Sequence, residues 1–367
     1  MQRVLVVGAG KIGSLVAGML TESGDYEVLL ADRDGAVAAS VANAHWPRQV
    51  QSLALDAMDT KAVARCLTQR GCAAVVCCLP YFANPPVAAA AREAGVHYFD
   101  LTEDVTSTDA VRAAADGATT AFVPQSGLAP GFISIAAAEL MRRFDEVDTV
   151  RLRVGALPRN PNNALKYNLT WSTDGLINEY ANPCRAIDGG EPVELRPLDG
   201  LETLVLDGVE YEAFNTSGGL GSLGESFAGR VRSMNYKTLR YPGHCAMARL
   251  LLQDLRLAED RDTLKRILEH AVPQTRDDVV IVYVAVAGRK DGALREDTFV
   301  RRIYPTTIAG RDWTAIQVTT AAGACAVIDR VLGAPDDYHG FVRQEDFALA
   351  DILDNRFGRH YGLETRS

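Results

Sequence analysis

Three glycines near the amino terminus have a spacing suited to binding a phosphate group. Gly8, Gly10 and Gly13 read GxGxxG, directly after the apolar run "RVLVV" and at the start of "KIGSLVAGML", whose apolar residues recur with helical spacing. At such a strand-to-helix turn, the first glycine permits the turn, the second lets the backbone approach a pyrophosphate, and the third lets the helix pack closely. The motif therefore predicts a dinucleotide-binding site.

An acidic residue follows at the distance that such a site requires. Asp32 closes the next apolar run, "YEVLLAD". A carboxylate there accepts hydrogen bonds from the adenosine ribose and repels a 2′-phosphate, which favours NAD over NADP. Arg33 follows it and can instead pair with that phosphate or stack on adenine. Asp56 is expected at the adenine edge, or as the cap of the helix that begins near Asp59. The other expected cofactor-binding residues are Lys11, Ile12, Leu79, Pro80 and Gly127.

The first third of the chain alternates apolar runs with Ala-rich helical stretches. Six runs lack polar alternation, as strands buried on both faces do. They are "RVLVVGAG", "YEVLLADR", "VQSLALD", "AAVVCCLP", "VHYFDLTE" and "TTAFVPQ". Parallel neighbours need helical crossovers, so the pattern predicts an α/β fold with a Rossmann-type, doubly wound parallel sheet. We assign this domain to residues 1–129, with residues 320–367 packing back on it.

The pattern changes after Gly131. Long alternating stretches with fewer helices between them indicate a mixed or antiparallel sheet. These stretches are "TVRLRVGALP", "VVIVYVAVAG", "TFVRRIYPTTIAG" and "WTAIQVTTAAG", and helices are expected from Thr319 and in "EDFALADILDNRF". Residues 130–319 are thus expected to form a second, α+β domain for substrate binding and oligomerisation. Its sheet favours a homodimer or a higher homo-oligomer.

The composition narrows the class of partner. Of 367 residues, 47% are hydrophobic and 23% are charged, and 38 basic against 47 acidic residues give a net charge of −9. A negative protein repels phosphate backbones, so we expect no nucleic-acid partner. The longest apolar runs have the length of strands, and the chain enters a strand at once. We therefore expect no membrane span and a cytoplasmic location.

The seven cysteines and six histidines show no metal-ligand spacing. Cys77 and Cys78 are adjacent in an apolar run, and neighbouring strand residues point to opposite faces, so these two cannot hold one metal ion together. We expect reduced core cysteines and no metal site.

Several stretches carry a resemblance to a known family. They are "SGLAPGF" at 126–132, "LKYNLTWSTDGLINEY" at 165–180, and "NYKTLRYPGH" at 235–244, preceded by "EAFNTSGG". With the amino-terminal "GAGKIG", the chain resembles the saccharopine dehydrogenase-like family of amino-acid oxidoreductases over nearly its whole length. Within that family it is most similar to the lysine 6-dehydrogenases. The resemblance implies NAD-dependent oxidation of the ε-amine of L-lysine to allysine, which cyclises to piperideine carboxylate.

The resemblance leaves other reactions open. The saccharopine reductases of this family use NADPH and usually carry GLDPG, with an aspartate proposed for proton transfer, where this chain has Ala129. They commonly carry RYxGF where this chain reads "RYPGH" and supplies His244. Both differences favour lysine oxidation and leave the turn at Ala129 as a hinge into the second domain. A carboxynorspermidine-type reductase and a non-catalytic NAD-binding relative are the further alternatives.

Amine oxidation makes demands on the side chains. Hydride can leave the carbon only when the attached nitrogen is neutral, so a lysine ammonium with an ordinary pKa of about 10.4 must first lose a proton. His244, after a Pro-Gly turn, is the first candidate for the base, with a structural histidine capping the next helix as the alternative. Asp100, which ends the fifth strand, is the second candidate, with an N-cap or a salt-bridged carboxylate as the alternative.

An amino-acid substrate also needs its charged ends held. Arg240 offers a planar fork for the α-carboxylate; Lys237 is nearby, but odd spacing in a strand puts the two on opposite faces. Aromatic residues are expected along the aliphatic chain, a carboxylate opposite an ammonium, and polar residues in the glycine-rich loop. The expected substrate-binding residues are Arg240, Lys237, Tyr167, Trp171, Glu179, Asn215, Thr216 and Ser217.

Overall fold

The computed structural model describes residues 1–46 and 49–362, which form two compact units. Unit 1 comprises Met1–Phe132, Thr307–Arg311 and Gln317–His360. Unit 2 comprises Ile133–Thr306, Asp312–Ile316 and, of the described residues, 361–362.

The secondary structure alternates in the first part and is richer in strands in the second. In chain order the strands are β1 (Gln2–Val7), β2 (Tyr26–Asp32), β3 (Val50–Ala54), β4 (Ala74–Cys77), β5 (His97–Asp100), β6 (Ala121–Val123), β7 (Glu146–Pro158), β8 (Cys184–Asp188), β9 (Glu191–Leu195), β10 (Glu202–Leu206), β11 (Val209–Asn215), β12 (Val231–Arg240), β13 (Asp278–Lys290), β14 (Ala293–Ile303), β15 (Thr306–Ile308), β16 (Arg311–Trp313) and β17 (Gly340–Phe341). The α-helices are α1 (Lys11–Glu22), α2 (Gly35–His45), α3 (Thr60–Gln69), α4 (Asn84–Ala94), α5 (Val105–Ala115), α6 (Phe132–Met141), α7 (Thr173–Ala181), α8 (Leu223–Ser226), α9 (His244–Arg249), α10 (Arg261–Ala271), α11 (Ala315–Gly333) and α12 (Leu349–Leu353).

Unit 1 contains a seven-stranded parallel sheet in the order β17-β6-β5-β4-β1-β2-β3. The order reverses between β1 and β4, which is where dinucleotides bind in doubly wound sheets. All six predicted strands are present. The cores of β1, β2, β4, β5 and β6 are buried on both faces, whereas the edge strand β3 is largely exposed, contrary to the prediction for that run. The predicted fold of this part is therefore confirmed, and the short strand β17 is an addition that the sequence pattern did not predict.

Unit 2 contains an eight-stranded mixed sheet. Its main path is β10-β11-β12-β7-β13-β14, and β8 pairs with both β12 and β9. The pair β7 and β12 is parallel, while β13 runs antiparallel to both β7 and β14. The predicted mixed sheet is confirmed. β12 carries Arg240 at its end and leads through a tight turn into α9.

One stretch that was predicted as a strand is largely a helix. In "WTAIQVTTAAG", only Trp313 belongs to a strand, and α11 begins at Ala315. The buried carboxylate of Asp278 accepts hydrogen bonds from the backbone N–H groups of Ala315 (2.7 Å) and Ile316 (3.0 Å). A partner 37 residues away thus supplies the helix cap. The prediction was wrong because a short apolar run fits both the strand and the helix period.

Of the helices that the structure describes, only α11 is long and apolar enough to cross a membrane by length and composition. Within its most apolar window, 78% is buried inside the protein, as in the core helix of a globular protein. The helix predicted in "EDFALADILDNRF" is shorter than expected, since α12 spans only Leu349–Leu353.

Candidate functional site

The glycine turn of unit 1 has the shape that a pyrophosphate requires. Gly8 has a φ of +104°, in the region that favours glycine, and a Cβ atom added at Gly13 would lie 1.9 Å from the Gly8 carbonyl oxygen. At Gly10, by contrast, an added Cβ would meet nothing within 4 Å. Gly10 is exposed and precedes the first turn of α1, where no side chain caps the N–H groups. The turn is therefore tightly packed at Gly8 and Gly13 and open at Gly10, where a helix amino terminus without a capping side chain suits an anion.

Asp32 is held rigidly beside this turn. Its Oδ2 accepts a hydrogen bond from the Ala9 N–H (3.0 Å), and its Oδ1 accepts one from the Asp34 N–H (3.1 Å). Each carboxylate oxygen keeps a further lone pair, so the side chain can still accept from ribose hydroxyls. Arg33 is fully on the surface. The geometry fits the role expected for Asp32.

The other predicted cofactor residues surround the same turn or lie near it in sequence. Lys11 and Pro80 are exposed, whereas Ile12 and Leu79 are half-buried. Leu79 Cδ2 would lie 3.0 Å from a Cβ atom added at Gly8, which places Leu79 against the turn. Asp56 is exposed, and it accepts a hydrogen bond from Met58 N–H (3.0 Å). It caps no helix, since the cap of α3 is Asp59, which accepts from Ala62 N–H (2.9 Å).

Asp100 is a buried carboxylate whose hydrogen bonds join neighbouring segments of unit 1. It is 0% exposed. Its Oδ1 accepts from the N–H groups of Thr102 (3.0 Å) and Gln125 (2.9 Å), and its Oδ2 accepts from the Tyr98 hydroxyl (2.8 Å). Burial raises its pKa to about 6. A carboxylate enclosed in this way holds the ends of β5 and β6 together, so the geometry does not support the catalytic role that was expected. Asp100 is not the N-cap of α5, because Asp104 has that role. It is not a salt-bridged carboxylate either, because its hydrogen-bond partners Thr102, Gln125 and Tyr98 are all neutral.

Glu103 is a residue that sequence reasoning missed. It lies three residues beyond β5, on the carboxyl edge of the parallel sheet, and is half-buried. Burial raises its pKa to about 7, and the neighbouring Asp104 and Asp100 act in the same direction. A carboxyl group with such a pKa exchanges protons near neutrality. Its position just past a strand that ends in Asp100 was the available signal.

The stretch "SGLAPGF" forms a closed turn. Gly127, which is buried, bridges to Gly131, and the Phe132 N–H donates to the Gly127 carbonyl (3.0 Å). Gly131 has a φ of +125°, and a Cβ atom there would lie 2.3 Å from the Gly127 oxygen. Ala129 is half-buried in the middle. The chain leaves unit 1 between Phe132 and Ile133, directly after this turn.

In unit 2, Arg240 is the centre of a buried polar cluster. Its Nε donates to Tyr180 Oη (2.8 Å), and its Nη1 donates to Thr238 Oγ1 (2.7 Å) and to the Leu239 carbonyl (2.9 Å). Its Nη2 makes a long ion pair with Glu179 Oε2 at 4.0 Å. Most of the guanidinium is therefore used inside the protein, and only the Nη2 side remains to face a ligand. The guanidinium is therefore less free to bind a substrate carboxylate in the bidentate manner that was expected.

Tyr180 links Arg240 to His244. The Tyr180 hydroxyl lies 2.9 Å from His244 Nε2, and His244 Nδ1 lies 2.7 Å from the Leu165 carbonyl. A carbonyl can only accept, so Nδ1 carries the proton of the neutral ring and Nε2 accepts from Tyr180. The hydrogen bonds thus run in one direction, from Arg240 through Tyr180 and His244 to Leu165. We call this series the Arg240 chain.

His244 is buried and neutral in this chain. It is 2% exposed. Burial and the adjacent Arg240 lower its pKa to about 3. The expected near-neutral pKa is not what the structure shows. His244 does line an apolar cavity, together with Leu165, Tyr167 and Tyr180. His244 is also not a cap: it is the first residue of α9.

The low pKa of His244 has a consequence for stability. An unfolded histidine has a pKa of about 6.5, so between that pH and about 3 the unfolded chain binds a proton that the folded chain does not. The free energy of unfolding should therefore fall as the pH drops below about 6.5. From pH 7.5 to pH 5, this site should contribute a loss of about 2 kcal/mol. Urea unfolding of His244→Gln at both pH values should show a pH dependence smaller by that amount. Equal pH dependence in both proteins would contradict the assignment.

Several other predicted substrate residues have structural partners. The Lys237 ammonium bonds to Glu202 Oε2 (2.7 Å) and to the Gly200 carbonyl (2.5 Å). Asn215 donates from Nδ2 to the Arg196 carbonyl, and Ser217 donates from Oγ to the Pro183 carbonyl. The structure thus places Lys237 away from the Arg240 cluster, as the odd spacing predicted, and uses Asn215 and Ser217 to fasten loops.

Some other buried polar atoms of unit 2 have no such partners. The Arg240 guanidinium carbon lies 4.9 Å from the centre of the Tyr167 ring. Tyr167 Oη is buried near Thr170 and Trp171 but makes no hydrogen bond of good geometry. The same holds for Thr170 Oγ1, Thr216 Oγ1 and Asn168 Oδ1. Buried polar atoms are almost always satisfied by protein, water or a ligand, so the unsatisfied hydroxyl of Tyr167 beside Arg240 marks unit 2's candidate binding site.

Trp171 is half-buried beside this group. Its ring packs against Gly175 of α7, where an added Cβ would come within 2.2 Å of the ring. Trp171 is therefore well placed to be a rigid wall. Among the described residues, no group of three or more His, Cys, Asp or Glu side chains is arranged to hold a metal ion.

The fold and the glycine turn define an NAD(P)-binding, Rossmann-type protein with a second domain built on a mixed sheet. Two family models match the chain: the saccharopine dehydrogenase NADP binding domain over residues 4–123, and the saccharopine dehydrogenase C-terminal domain over residues 127–358. The chain therefore belongs to the saccharopine dehydrogenase family of oxidoreductases.

A solved structure with a TM-score of 0.77 supports this fold. Apo saccharopine dehydrogenase (L-Glu forming) from Saccharomyces cerevisiae matches with a TM-score of 0.77 and 16% identity, covering 99% of this chain and 98% of that one. The DAP dehydrogenase of C. glutamicum, in complex with DAP, matches with a TM-score of 0.48 and 10% identity, covering 99% of both chains.

Proposed function

We propose that this protein oxidises the ε-amino group of L-lysine with NAD, giving allysine. This activity rests on the charge balance of the Arg240 cluster. The cluster contains one cation, Arg240, and one carboxylate, Glu179, 4.0 Å apart. Such a pair matches the α-carboxylate and α-ammonium of one amino-acid head group.

Saccharopine, by comparison, carries three carboxylates and needs more cations. Two further cations of unit 2 lie in the same part of β7 and β12, but both pair with the carboxylate of Glu202, and Lys237 lies away from the Arg240 cluster. Arg153 Nε bonds to Glu202 Oε1 (2.5 Å), and Lys237 Nζ bonds to Glu202 Oε2 (2.7 Å). The charge arrangement therefore favours a substrate with a single carboxylate.

The surroundings of Arg240 favour the neutral amine that the reaction needs. Tyr167 and Tyr180 are buried, and Trp171 is half-buried. Loss of water lowers the pKa of the ε-ammonium group, which lies at the other end of lysine from the head group held by Arg240 and Glu179. Tyr180 keeps its proton because burial raises its pKa. We therefore propose that the Arg240 chain holds and orients the substrate, with neutral His244 fixing the Tyr180 hydroxyl rather than acting as the base.

For the cofactor, Asp32 supports NAD. When bound, the nicotinamide accepts the hydride. Gly10 and the first turn of α1 would hold the pyrophosphate, and Asp32 would accept from the ribose hydroxyls. A 2′-phosphate would meet the carboxylate at close range, which disfavours NADP.

A second candidate is an NADP-dependent saccharopine dehydrogenase that forms L-glutamate. The family model of the first domain is described as NADP binding, and the yeast structure with the same fold is a saccharopine dehydrogenase of the L-Glu forming type. The exposed Arg33 next to Asp32 is the residue that would pair with a 2′-phosphate.

One assay distinguishes the two candidate functions. Purified protein is mixed with NAD or NADP and with L-lysine or saccharopine at alkaline pH, and nicotinamide reduction is followed by absorbance. Turnover with L-lysine and NAD, with a product that reacts with aminobenzaldehyde, is the expected result. Turnover with saccharopine and NADP alone would contradict the proposal and establish the second candidate.

A further inference from the structure

Helix α9 begins at His244 without a capping side chain of its own. The residue before it, Gly243, has a φ of 98° and offers only backbone. The first N–H groups of a helix need acceptors from outside the helix. In α9 that acceptor comes from another strand.

Glu212, on β11, supplies the acceptor. Its Oε2 accepts from the Gly243 N–H (2.8 Å), and its Oε1 accepts from the Cys245 N–H. The carboxylate is buried, with 7% of the residue exposed. The carboxylate therefore binds backbone N–H groups on both sides of His244, and its negative charge stabilises the amino terminus of α9.

Glu212 is also tied to the other end of the turn. In the antiparallel pairing of β11 with β12, Glu212 is the direct partner of Arg240. The residues from Arg240 to His244 form the connection between β12 and α9. One residue of β11 thus touches both ends of this connection and sets the separation of Arg240 from His244.

The ring of His244 depends on this placement. Its two nitrogens have partners on different segments, Leu165 before α7 and Tyr180 within α7. A shift or rotation of the first turn of α9 would lengthen both hydrogen bonds at once. Misplacements of about 1 Å can cost about 100-fold in rate.

We propose that Glu212 is the positioning residue of the Arg240 chain: by capping α9 on both sides of His244, it fixes the tautomer and the orientation of that ring and, through it, the Tyr180 hydroxyl. The effect on turnover rests on the proposed function. The effect on the ring does not.

The test reads the histidine ring directly. Nitrogen NMR of ¹⁵N-histidine-labelled full-length protein, with the His244 signals assigned from His244→Gln, should show one tautomer protonated at Nδ1. Glu212→Ala should give mixed tautomers or exchange-broadened signals. Glu212→Gln keeps one carbonyl acceptor and should lie between the two. Asp260→Ala is the matched control, since Asp260 caps α10 through the Thr263 N–H (3.1 Å) on the same unit; its spectrum should equal that of the unmodified protein.

Kinetics add the second readout. Glu212→Ala should lower kcat about 100-fold with little change in KM, and Glu212→Gln should recover part of it. An unchanged His244 spectrum in a folded Glu212→Ala or Glu212→Gln protein would overturn the proposal. If the spectrum changes as expected but the unmodified protein oxidises no amine, the proposed function fails while the positioning role of Glu212 stands.

Discussion

Gly10→Ala should keep the fold and lose most of the affinity for the cofactor. A Cβ atom at Gly10 meets nothing within 4 Å in the protein, and the backbone there, with φ −76°, is open to any residue. The cost should therefore appear only when a pyrophosphate approaches the backbone. We expect the melting temperature to stay the same and the Kd for NAD to rise about 10- to 100-fold, equivalent to about 1.4 to 2.7 kcal/mol.

Two other glycines give this experiment its controls. Gly333→Ala also adds a methyl group in open space, at the end of α11, and should change neither quantity. Gly13→Ala should instead lower the melting temperature, because its Cβ would lie 1.9 Å from the Gly8 oxygen. Calorimetric titration with NAD and thermal unfolding measure both effects. An unchanged Kd for Gly10→Ala would show that the pyrophosphate does not lie over this turn.

Arg240→Met should remove most of the activity towards amino acids and part of the stability. Without the guanidinium, the Tyr180 hydroxyl loses one donor, and Thr238 Oγ1 and the Leu239 carbonyl lose theirs. Unsatisfied buried acceptors cost about 1 to 3 kcal/mol each, so we expect a loss of about 3 kcal/mol in the free energy of unfolding. We expect kcat/KM with L-lysine to fall about 100-fold, or about 2.7 kcal/mol.

A substrate lacking the carboxylate separates binding from folding. If Arg240 Nη2 holds the α-carboxylate, kcat/KM for 1,5-diaminopentane should already be low and should change little in Arg240→Met. Arg240→Lys, which keeps the charge but not the fork, should be intermediate with L-lysine. Arg232→Met is the matched control on β12, since Arg232 is exposed and paired with Asp148, and exposed pairs contribute little. Equal losses with L-lysine and the diamine would refute a role of Arg240 in carboxylate binding.

Much of unit 1 could be predicted from local pattern. The buried strands, the glycine turn and Asp32 each depend on neighbours within a few tens of residues, and parallel strands with helical crossovers allow few topologies. The seventh strand escaped prediction because β17 has two residues and comes from far along the chain. A run that short carries no periodicity.

The start of α11 shows where local pattern stops being sufficient. "WTAIQV" fits a strand by alternation, and the decision for a helix comes from the Asp278 carboxylate, whose hydrogen bonds to Ala315 and Ile316 span 37 and 38 residues. Nothing within a short window contains that partner.

The candidate site divides in the same way. The odd spacing of Lys237 and Arg240 correctly predicted opposite faces of β12, because strand geometry alternates regardless of context. The sequence could not show that Glu202 neutralises Lys237, or that Glu212 caps α9. It also could not show that burial beside Arg240 lowers the pKa of His244 to about 3.

The sequence by itself therefore determined most of the elements, the class of fold, the phosphate-binding turn and the identity of the residues available for chemistry. Only the tertiary structure decided which of those residues meet, which are neutralised, and which protonation state they hold. The physical reason is that propensity and periodicity act over a few residues, whereas burial, hydrogen bonding and charge pairing act between atoms that lie close in space and far apart in the chain.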